Sequence, residues 1–345
     1  MLKINLTALP QVLTNLSKQA EVYAPLKKAG AVNFERWDEE KSLGQLELRR
    51  VLTAKSAKSV FFPQVENLMD FTTQGKQLEL KAEPLPEQDT VIFGVRGCDV
   101  ASFAILDKVF LQAPVDEFYQ ARREHCTIIT LACNEPEETC FCTVYGINPA
   151  QPQGDVLTYL VGKELYWQAQ TNKGEQLLAQ IESLLQPAEE TEVEATKTQI
   201  TAILEHLPLK NLHPEAAYAR STEELFADPV WAKLSTSCLG CGTCTFVCPT
   251  CHCYDVRDYE VKGKVRRFRC WDSCMFSDFT RMSAGNPRRT RLERFRQRFL
   301  HKLKYYPENN NGVFACVGCG RCLQKCPSHL HIAQVIKALE VTKHV

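Results

Sequence analysis

The apolar and polar positions of residues 90–133 follow two kinds of pattern. The runs TVIFGV and CTIITLAC are short, apolar and rich in β-branched side chains, which is typical of buried strands. Between them, VASFAILDKVFLQ repeats its apolar positions at helical spacing. A strand, a helix and a second strand in so short a span form a βαβ unit, whose two strands are parallel. These patterns predict an N-terminal α/β domain with a partly parallel sheet.

The flanking patterns are weaker. Residues 156–170 (VLTYLVGKELYWQAQ) alternate enough to predict further strands, and TQITAILEHLPLK predicts a helix. The charged run PAEETEVEAT (187–196) is typical of a solvated linker, and SVFFPQVENLMDF (59–71) of an exposed loop that leads into a helix. We place the N-terminal domain at residues 1–215 and the C-terminal domain at residues 216–345.

The segment RMSAGNPRRTRLERFRQRFLHKLKYY predicts a basic amphipathic helix. Its apolar stripe consists of Leu292, Phe295, Phe299, Leu300 and Leu303. The helix has a single acidic residue, Glu293, and many basic ones. The basic residues are Arg288, Arg289, Arg291, Arg294, Arg296, Arg298, Lys302 and Lys304. The C-terminal domain is therefore expected to be mainly helical, which makes the chain an α+β protein of two domains.

Composition excludes several classes of function. The chain has 345 residues with 41 basic and 41 acidic side chains, so no net charge favours nucleic acid or an anionic membrane. No apolar run reaches the roughly 20 residues that a membrane helix needs. The N-terminus, MLKINLTALPQVLTNLSKQ, lacks the apolar core and cleavage pattern of a signal peptide. We expect a cytoplasmic protein with no nucleic-acid partner and no membrane partner.

The chain contains seventeen cysteines, and their number and spacing indicate its chemistry. A disulfide framework is disfavoured, because the cytosol keeps thiols reduced and the number is odd. Scattered core cysteines account for two or three thiols but not for clusters at spacings of two and three residues. Metal or redox ligation is the favoured interpretation.

Two motifs, CLGCGTCTFVCP and CVGCGRCLQKCP, share the spacing C-x2-C-x2-C-x3-C-P. In this spacing three cysteines wrap one [4Fe-4S] cluster and the fourth ligates the other cluster. The expected ligands of cluster one are Cys238, Cys241, Cys244 and Cys326. The expected ligands of cluster two are Cys316, Cys319, Cys322 and Cys248. The alternative is zinc, which usually takes two separated C-x2-C knuckles and which the doubled match disfavours.

A cysteine-bearing insert (249–315) separates the two motifs, and its thiols are Cys251, Cys253, Cys270 and Cys274. A C-x-C pair and a C-x3-C pair are suited to hold a third [4Fe-4S] cluster, with Trp271 and Phe276 shielding it from water. Buried free cysteines and a zinc ion are the alternatives. The basic helix that follows would either balance the negative charge of the clusters and raise their potentials, or present a solvated face.

A fourth set of thiols lies near the predicted βαβ unit and comprises Cys98, Cys133, Cys140 and Cys142. Cys98 and Cys133 follow the carboxyl ends of parallel strands, the edge where open α/β sheets bind ligands. A fourth cluster, a zinc ion or a redox-active thiol pair would suit these residues. Cys126 begins a strand and is expected to be a core cysteine. Because Gly94 and Gly97 do not form G-x-G-x-x-G, no NAD or flavin is expected in this chain.

Together these motifs resemble one family. GVRGCD, CNEPEETCFC, CLGCGTCTFVCPTCHCYDV, CWDSCM, NPRRTRLERFRQRFLHK and CVGCGRCLQKCP occur in this order in the electron-conducting subunit of anaerobic sulfite reductase and in the beta subunit of NAD(P)-linked nickel–iron hydrogenases (sulfhydrogenases). The resemblance covers roughly residues 55–335 and implies that all four cysteine sets are cluster ligands. The chain departs from the family at TVYGINP (143–149), where many relatives have a small-residue run. The family pattern does not explain Cys126.

The resemblance implies an electron-transfer protein with three or four [4Fe-4S] clusters. Its expected partners are an NAD(P)H-oxidising subunit with FAD and a 2Fe-2S centre, and a terminal catalytic subunit of the nickel–iron hydrogenase or sulfite reductase type. The absence of a recognisable general acid, base or nucleophile constellation suits such a conduit. The alternatives are a stand-alone cluster or dithiol reductase that acts at Cys98, Cys133, Cys140 and Cys142, and a redox sensor.

Overall fold

The computed structural model of the chain describes residues 1–49, 52–74 and 77–341. Its larger sheet is built from β1 (Leu2–Asn5), β2 (Glu21–Lys28), β3 (Ala31–Arg36), β6 (Thr90–Val95), β7 (Cys126–Leu131), β8 (Val156–Val161), β9 (Glu164–Ala169) and β10 (Gln186–Pro187). The smaller sheet contains β4 (Val65–Gln74), β5 (Gln77–Ala82), β11 (Tyr254–Val261) and β12 (Lys264–Trp271).

The helices of the N-terminal half are α1 (Leu9–Leu16), α2 (Glu39–Ser42), α3 (Lys58–Phe61), α4 (Gly97–Phe110), α5 (Glu117–Glu124), α6 (Asn172–Ile181) and α7 (Thr191–Leu204). Those of the C-terminal half are α8 (Pro214–Tyr218), α9 (Thr222–Ala227), α10 (Val230–Ser235), α11 (Thr243–Phe246), α12 (Arg291–Leu300), α13 (Tyr306–Asn309), α14 (Arg321–Lys325) and α15 (Ile332–Val341). A π-helical segment, His301–Tyr305, joins α12 to α13.

The larger sheet has the strand order β10-β1-β9-β8-β7-β6-β2-β3, and β2, β6, β7 and β8 run parallel. Side chains such as Ile92, Phe93 and Ile129 are buried, as expected for parallel strands with both faces covered. The βαβ unit of the sequence is β6, α4, α5 and β7, with Ile92 paired to Ile128. The predicted mixed fold with a partly parallel sheet is confirmed.

The smaller, antiparallel sheet joins distant parts of the chain in the order β11-β12-β4-β5. The hairpin β11–β12 belongs to the insert, and its second strand pairs with β4 from Cys270↔Val65 to Lys264↔Thr72. The hairpin itself was not predicted. It carries residues from both sides of the predicted boundary at 215 into one sheet.

Two local predictions are wrong. The segment 59–71 is not an exposed loop before a helix, because Phe61 and Phe62 are buried and β4 follows. The charged run 187–196 is a linker only at its start, since α7 begins at Thr191 and buries Val193. Acidic side chains stabilise the first turn of a helix, so the same charges that indicate a linker also favour this helix start.

The amphipathic segment is helical from Arg291 onward, and its stripe faces the C-terminal core through Phe295, Phe299, Leu300 and Leu303. The prediction is wrong for its first ten residues (281–290), where Gly285 and Pro287 disfavour a helix. A capping box between Thr290 and Glu293 begins α12. No helix in the described ranges has the length and apolar character needed to cross a bilayer.

Candidate metal centres

The N-terminal thiols meet at the carboxyl edge of the parallel strands. Cys98 lies in the first turn of α4, Cys133 follows β7, and Cys140 and Cys142 come from the next loop. All four are buried in one cluster that also contains Cys319 of the second ferredoxin motif. Burial raises the pKa of Cys140 to about 12, and the nearby Cys133 contributes to that rise. The four thiols form one set, which keeps them candidate ligands of a single group.

The two ferredoxin motifs form two separate cavities. Cavity one is lined by the four thiols expected for cluster one, together with Met275 and Phe295; these thiols are Cys238, Cys241, Cys244 and Cys326. Cavity two is lined by the thiols expected for cluster two, together with Phe141 and Lys302; they are Cys248, Cys316, Cys319 and Cys322. Each cavity thus draws three thiols from one motif and the fourth from the other, which is the arrangement that the spacing predicts.

The insert brings three of its four thiols together. Cys253 lies beside Cys274, and Cys251 lies beside Cys248 of cavity two. Cys270 lies on β12, where its charged neighbours are Arg257, Asp255 and Asp272 rather than other thiols. The C-x3-C pair is therefore split between two environments, while its role as a ligand pair stays a prediction.

Cys126 is a core residue, as its position suggests. It is buried on β7, and its Sγ lies 3.8 Å from the carbonyl oxygen of Thr127. Burial raises the pKa of its thiol to about 12, and its charged neighbours are Arg123, Asp155 and Lys173.

Buried cations line the cavities. Arg298 is 3% exposed and lines both cavities. Its Nε and Nη1 atoms have no hydrogen-bond acceptor in the described part of the chain. Burial lowers the pKa of Arg298, but the nearby thiols of Cys244 and Cys322 raise it more. A charged guanidinium with free donors needs anionic acceptors, and the sulfur atoms of a negatively charged cluster would satisfy it.

Lys302 and Lys58 add two more buried charges. The Nζ of Lys302 donates to Thr250 Oγ1 at 2.7 Å and to the Ala315 carbonyl oxygen at 2.8 Å. The Nζ of Lys58 donates to the Cys251 carbonyl oxygen at 2.7 Å and lies 4.0 Å from the centre of the Trp271 ring. Lys302 was part of the predicted basic segment. Lys58 was missed, since only the pairing of β4 with the insert brings α3 to this site.

The N-terminal loop and the second motif touch through their backbones. Phe141 N donates to the Gly318 carbonyl oxygen at 2.8 Å. A Cβ at Gly318 would come too close to the Phe141 carbonyl oxygen, and one at Gly320 would lie 2.6 Å from that of Thr139. Glycine is thus required at both positions by close approach, as well as by positive φ. The N-terminal thiols and cavity two form adjoining sites.

A buried ion pair reinforces this junction. Arg321 donates to both Asp99 carboxylate oxygens, at 2.6 and 2.7 Å, and to the Thr53 carbonyl oxygen at 2.9 Å. Asp99 follows Cys98, and Arg321 precedes Cys322. Sequence reasoning passed over Arg321, although the first motif has Thr243 at the same place. The sequence did contain a signal for Arg321, because one copy of the repeated cysteine motif has a charged residue where the other copy has a threonine.

The donor sets suit a cluster better than a single ion. In the described ranges, no three Cys, His, Asp or Glu side chains converge closely enough to bind one metal ion. Tetrahedral zinc needs four ligands at a single point, whereas the cysteines of a [4Fe-4S] cluster bind separate corners. The thiols of each cavity line a shared space without meeting at one point, which is the arrangement that suits a [4Fe-4S] cluster.

Comparison with known proteins agrees with the geometry. Residues 237–330 match the family model of a 4Fe-4S dicluster domain. The chain is also similar to the sulfhydrogenase 2 subunit beta of Pyrococcus furiosus, with 31% identity over 336 residues, which cover 97% of this chain and 96% of the relative. The chain therefore belongs to the family of iron–sulfur hydrogenase beta subunits and carries a 4Fe-4S dicluster domain.

Proposed function

We propose that this protein relays electrons between two partner subunits of a cytoplasmic oxidoreductase complex. The observation that carries the proposal is the contiguity of the cysteine sets. The N-terminal thiols adjoin cavity two through the contact of Phe141 with Gly318, and the insert adjoins it through Cys251 and Cys248. Iron–sulfur clusters supply reversible one-electron transfer, and adjoining sites suit a relay.

The chain's own residues would insulate and tune this relay. Apolar side chains line both cavities, with Met275 and Phe295 in cavity one and Phe141 in cavity two. Arg298 and Lys302 supply positive charge beside the thiols. Burial, hydrogen bonds and nearby charge are the means by which a protein sets cluster potentials.

Family membership supports a proposal for the partner subunits. The similar protein of Pyrococcus furiosus is by its name one subunit of a sulfhydrogenase. We propose an NAD(P)H-oxidising partner with FAD and a 2Fe-2S centre on one side. On the other side we propose a terminal catalytic subunit of the nickel–iron hydrogenase or sulfite reductase type.

Burial argues against a stand-alone dithiol reductase at the N-terminal set. Its four thiols are all buried, and burial raises the pKa of Cys98, Cys133, Cys140 and Cys142. Nucleophilic cysteines are partly exposed and have lowered pKa values, so the relay is the better-supported function.

The test uses the complex purified with its native partners. Cys322→Ser removes one thiol of cavity two, and Cys126→Ser is the matched control. We expect the first variant to abolish NAD(P)H-driven turnover at the terminal subunit, while the flavin subunit still reduces an artificial dye. The control should turn over at the normal rate. Normal turnover in Cys322→Ser, or substrate chemistry by the isolated chain, would contradict the relay.

A further inference from the structure

Cavity one is the cysteine site at which a thiol is exposed at the protein surface. Among the 17 cysteines, all within the described ranges, Cys241 alone is exposed. Its neighbour Leu239 is 67% exposed, and Phe276, which lies against Gly242, is 36% exposed. The N-terminal thiols are buried, and the thiols of cavity two and of the insert are buried or half-buried.

Basic residues lie at the surface around cavity one. Arg291 donates to the Thr236 carbonyl oxygen at 3.1 Å, two residues before Cys238. Arg294 donates at 3.0 Å to the carbonyl oxygen of Met275, which lines cavity one, and at 2.8 Å to that of Arg289. Lys325 is exposed beside Cys326. The two arginine side chains are thus held beside the first motif and the lining of cavity one.

The acids nearby do not cancel this charge. Residues 278–294 contain two acids, Asp278 and Glu293, and five arginines. Since the whole chain has no net charge, the excess of bases here is a local feature and not a property of the whole surface.

We propose that this mouth, formed by Leu239, Cys241, Phe276, Arg289, Arg291 and Lys325, is the docking surface for a redox protein whose own cofactor lies within an acidic rim. The proposal rests on the relay function and names the site where electrons enter or leave the chain. Charge complementarity selects the occupant, because opposite potentials steer encounter and like charges exclude partners. A second copy of this chain would place bases against bases in a symmetric contact, so it does not fit.

An apolar centre within a charged rim suits transient electron exchange. Leu239 and Phe276 offer a small contact area beside the thiol, and the surrounding bases raise the rate of encounter. Such steering weakens with salt, because the screening length falls to about 8 Å at physiological ionic strength. Salt dependence of the rate is therefore a signature of this surface.

The experiment compares two double charge reversals in the full, cluster-loaded chain. Arg289→Glu with Lys325→Glu changes the mouth, while Lys262→Glu with Lys264→Glu makes the same charge change at the β11–β12 turn. The donor probe is flavodoxin hydroquinone, an acidic protein, mixed with the oxidised chain in a stopped-flow instrument at several ionic strengths. The second probe is the methyl viologen radical cation.

We expect the mouth variant to accept electrons from flavodoxin at least tenfold more slowly at low salt, with a flatter salt dependence. Its reaction with the viologen cation should become faster, and the control variant should match the wild type with both probes. Equal rates in the mouth variant and the wild type would overturn the docking surface alone. A chain that dithionite cannot reduce would overturn the relay function as well. Loss of binding to a DNA duplex, with unchanged electron transfer, would reassign the surface to nucleic acid.

Discussion

Asp99 and Arg321 form a two-point ion pair in the interior of the protein, with both side chains at most 1% exposed. The pair joins the helix that carries Cys98 to the motif that carries Cys322. Removing one partner of a buried pair leaves an uncompensated charge, which costs about 3–5 kcal/mol. Asp99→Asn should therefore lower the free energy of unfolding by about that amount, as measured by chemical denaturation.

The matched control for this variant is Asp70→Asn. Asp70 also pairs with an arginine at two points, Arg266 at 2.7 Å each, but both partners are exposed. Exposed pairs contribute little to stability, so the denaturation midpoint of the control should stay near that of the wild type. Equal losses in the two variants would contradict the role given to burial.

Gly318→Ala should disrupt the junction between the N-terminal loop and cavity two. Its added Cβ meets the Phe141 backbone, whereas one at Gly240 in the first motif comes no closer than 4.0 Å to Met275. Both glycines have positive φ, which costs an alanine about 1–2 kcal/mol. We expect about that loss for Gly240→Ala and about twice as much for Gly318→Ala, with iron lost only from the second. Thermal denaturation and iron analysis measure both; identical behaviour would refute the close contact.

Arg298→Gln should lower the reduction potentials of the ferredoxin-type clusters. The variant removes a buried charge between the two cavities, and nearby positive charge favours the reduced, more negative form. A change on the order of 60 mV would equal a tenfold change in the one-electron equilibrium. The measurement is an EPR-monitored redox titration. The control is Arg296→Gln, since Arg296 lies over the exposed ring of Phe226. Unchanged potentials in Arg298→Gln, with full iron content, would exclude this role.

Cys126 should be inert toward alkylation in the folded protein. Burial raises the pKa of its thiol from 9.0 to about 12, so at pH 9 its thiolate fraction is lower than that of an ordinary cysteine by about five-hundredfold. Because the raised pKa belongs to the folded state, the resulting stability is complete below pH 9 and declines as the pH rises toward 12. Mass spectrometry after iodoacetamide treatment, with and without urea, checks the labelling. Rapid labelling of the native chain at pH 9 would be the contrary result.

Cys274 and Cys270 should differ although both belong to the C-x3-C pair of the insert. Cys274 lies beside Cys253, while Cys270 lies among charged side chains on β12. We expect Cys274→Ser to lower the iron content of the chain and Cys270→Ser to lower it less. Iron analysis of the two variants, prepared in parallel without oxygen, decides this. Equal losses in the two variants would instead support the ligand pair that the sequence spacing predicts.

Local patterns were enough to predict much of the fold and the ferredoxin-type sites. The strands around Ile92 and Ile128 are marked by their own side chains, and the C-x2-C-x2-C-x3-C-P spacing fixes three thiols within one loop. These features depend on neighbours in sequence, which is the information that a pattern contains.

The remaining features depend on long-range contacts. The exposed strand β5 has no buried face to mark it, and the pairing of Cys270 with Val65 joins segments far apart in the chain. The approach of Lys58 to Cys251 follows from that pairing. The link from Asp99 to Arg321 likewise arises only once the two halves pack together. Spacing alone does not specify such contacts.

The most direct test of the relay is the iron and acid-labile sulfide content of anaerobically purified chain, combined with EPR of the reduced form. The two ferredoxin-type clusters account for about 8 iron atoms. A relay that includes the N-terminal thiols predicts about 12, or about 16 if the insert also holds a cluster, with equal sulfide and interacting EPR signals. A value of about 8 would contradict the account, because it would confine the clusters to the dicluster domain and leave Cys98, Cys133, Cys140 and Cys142 without iron.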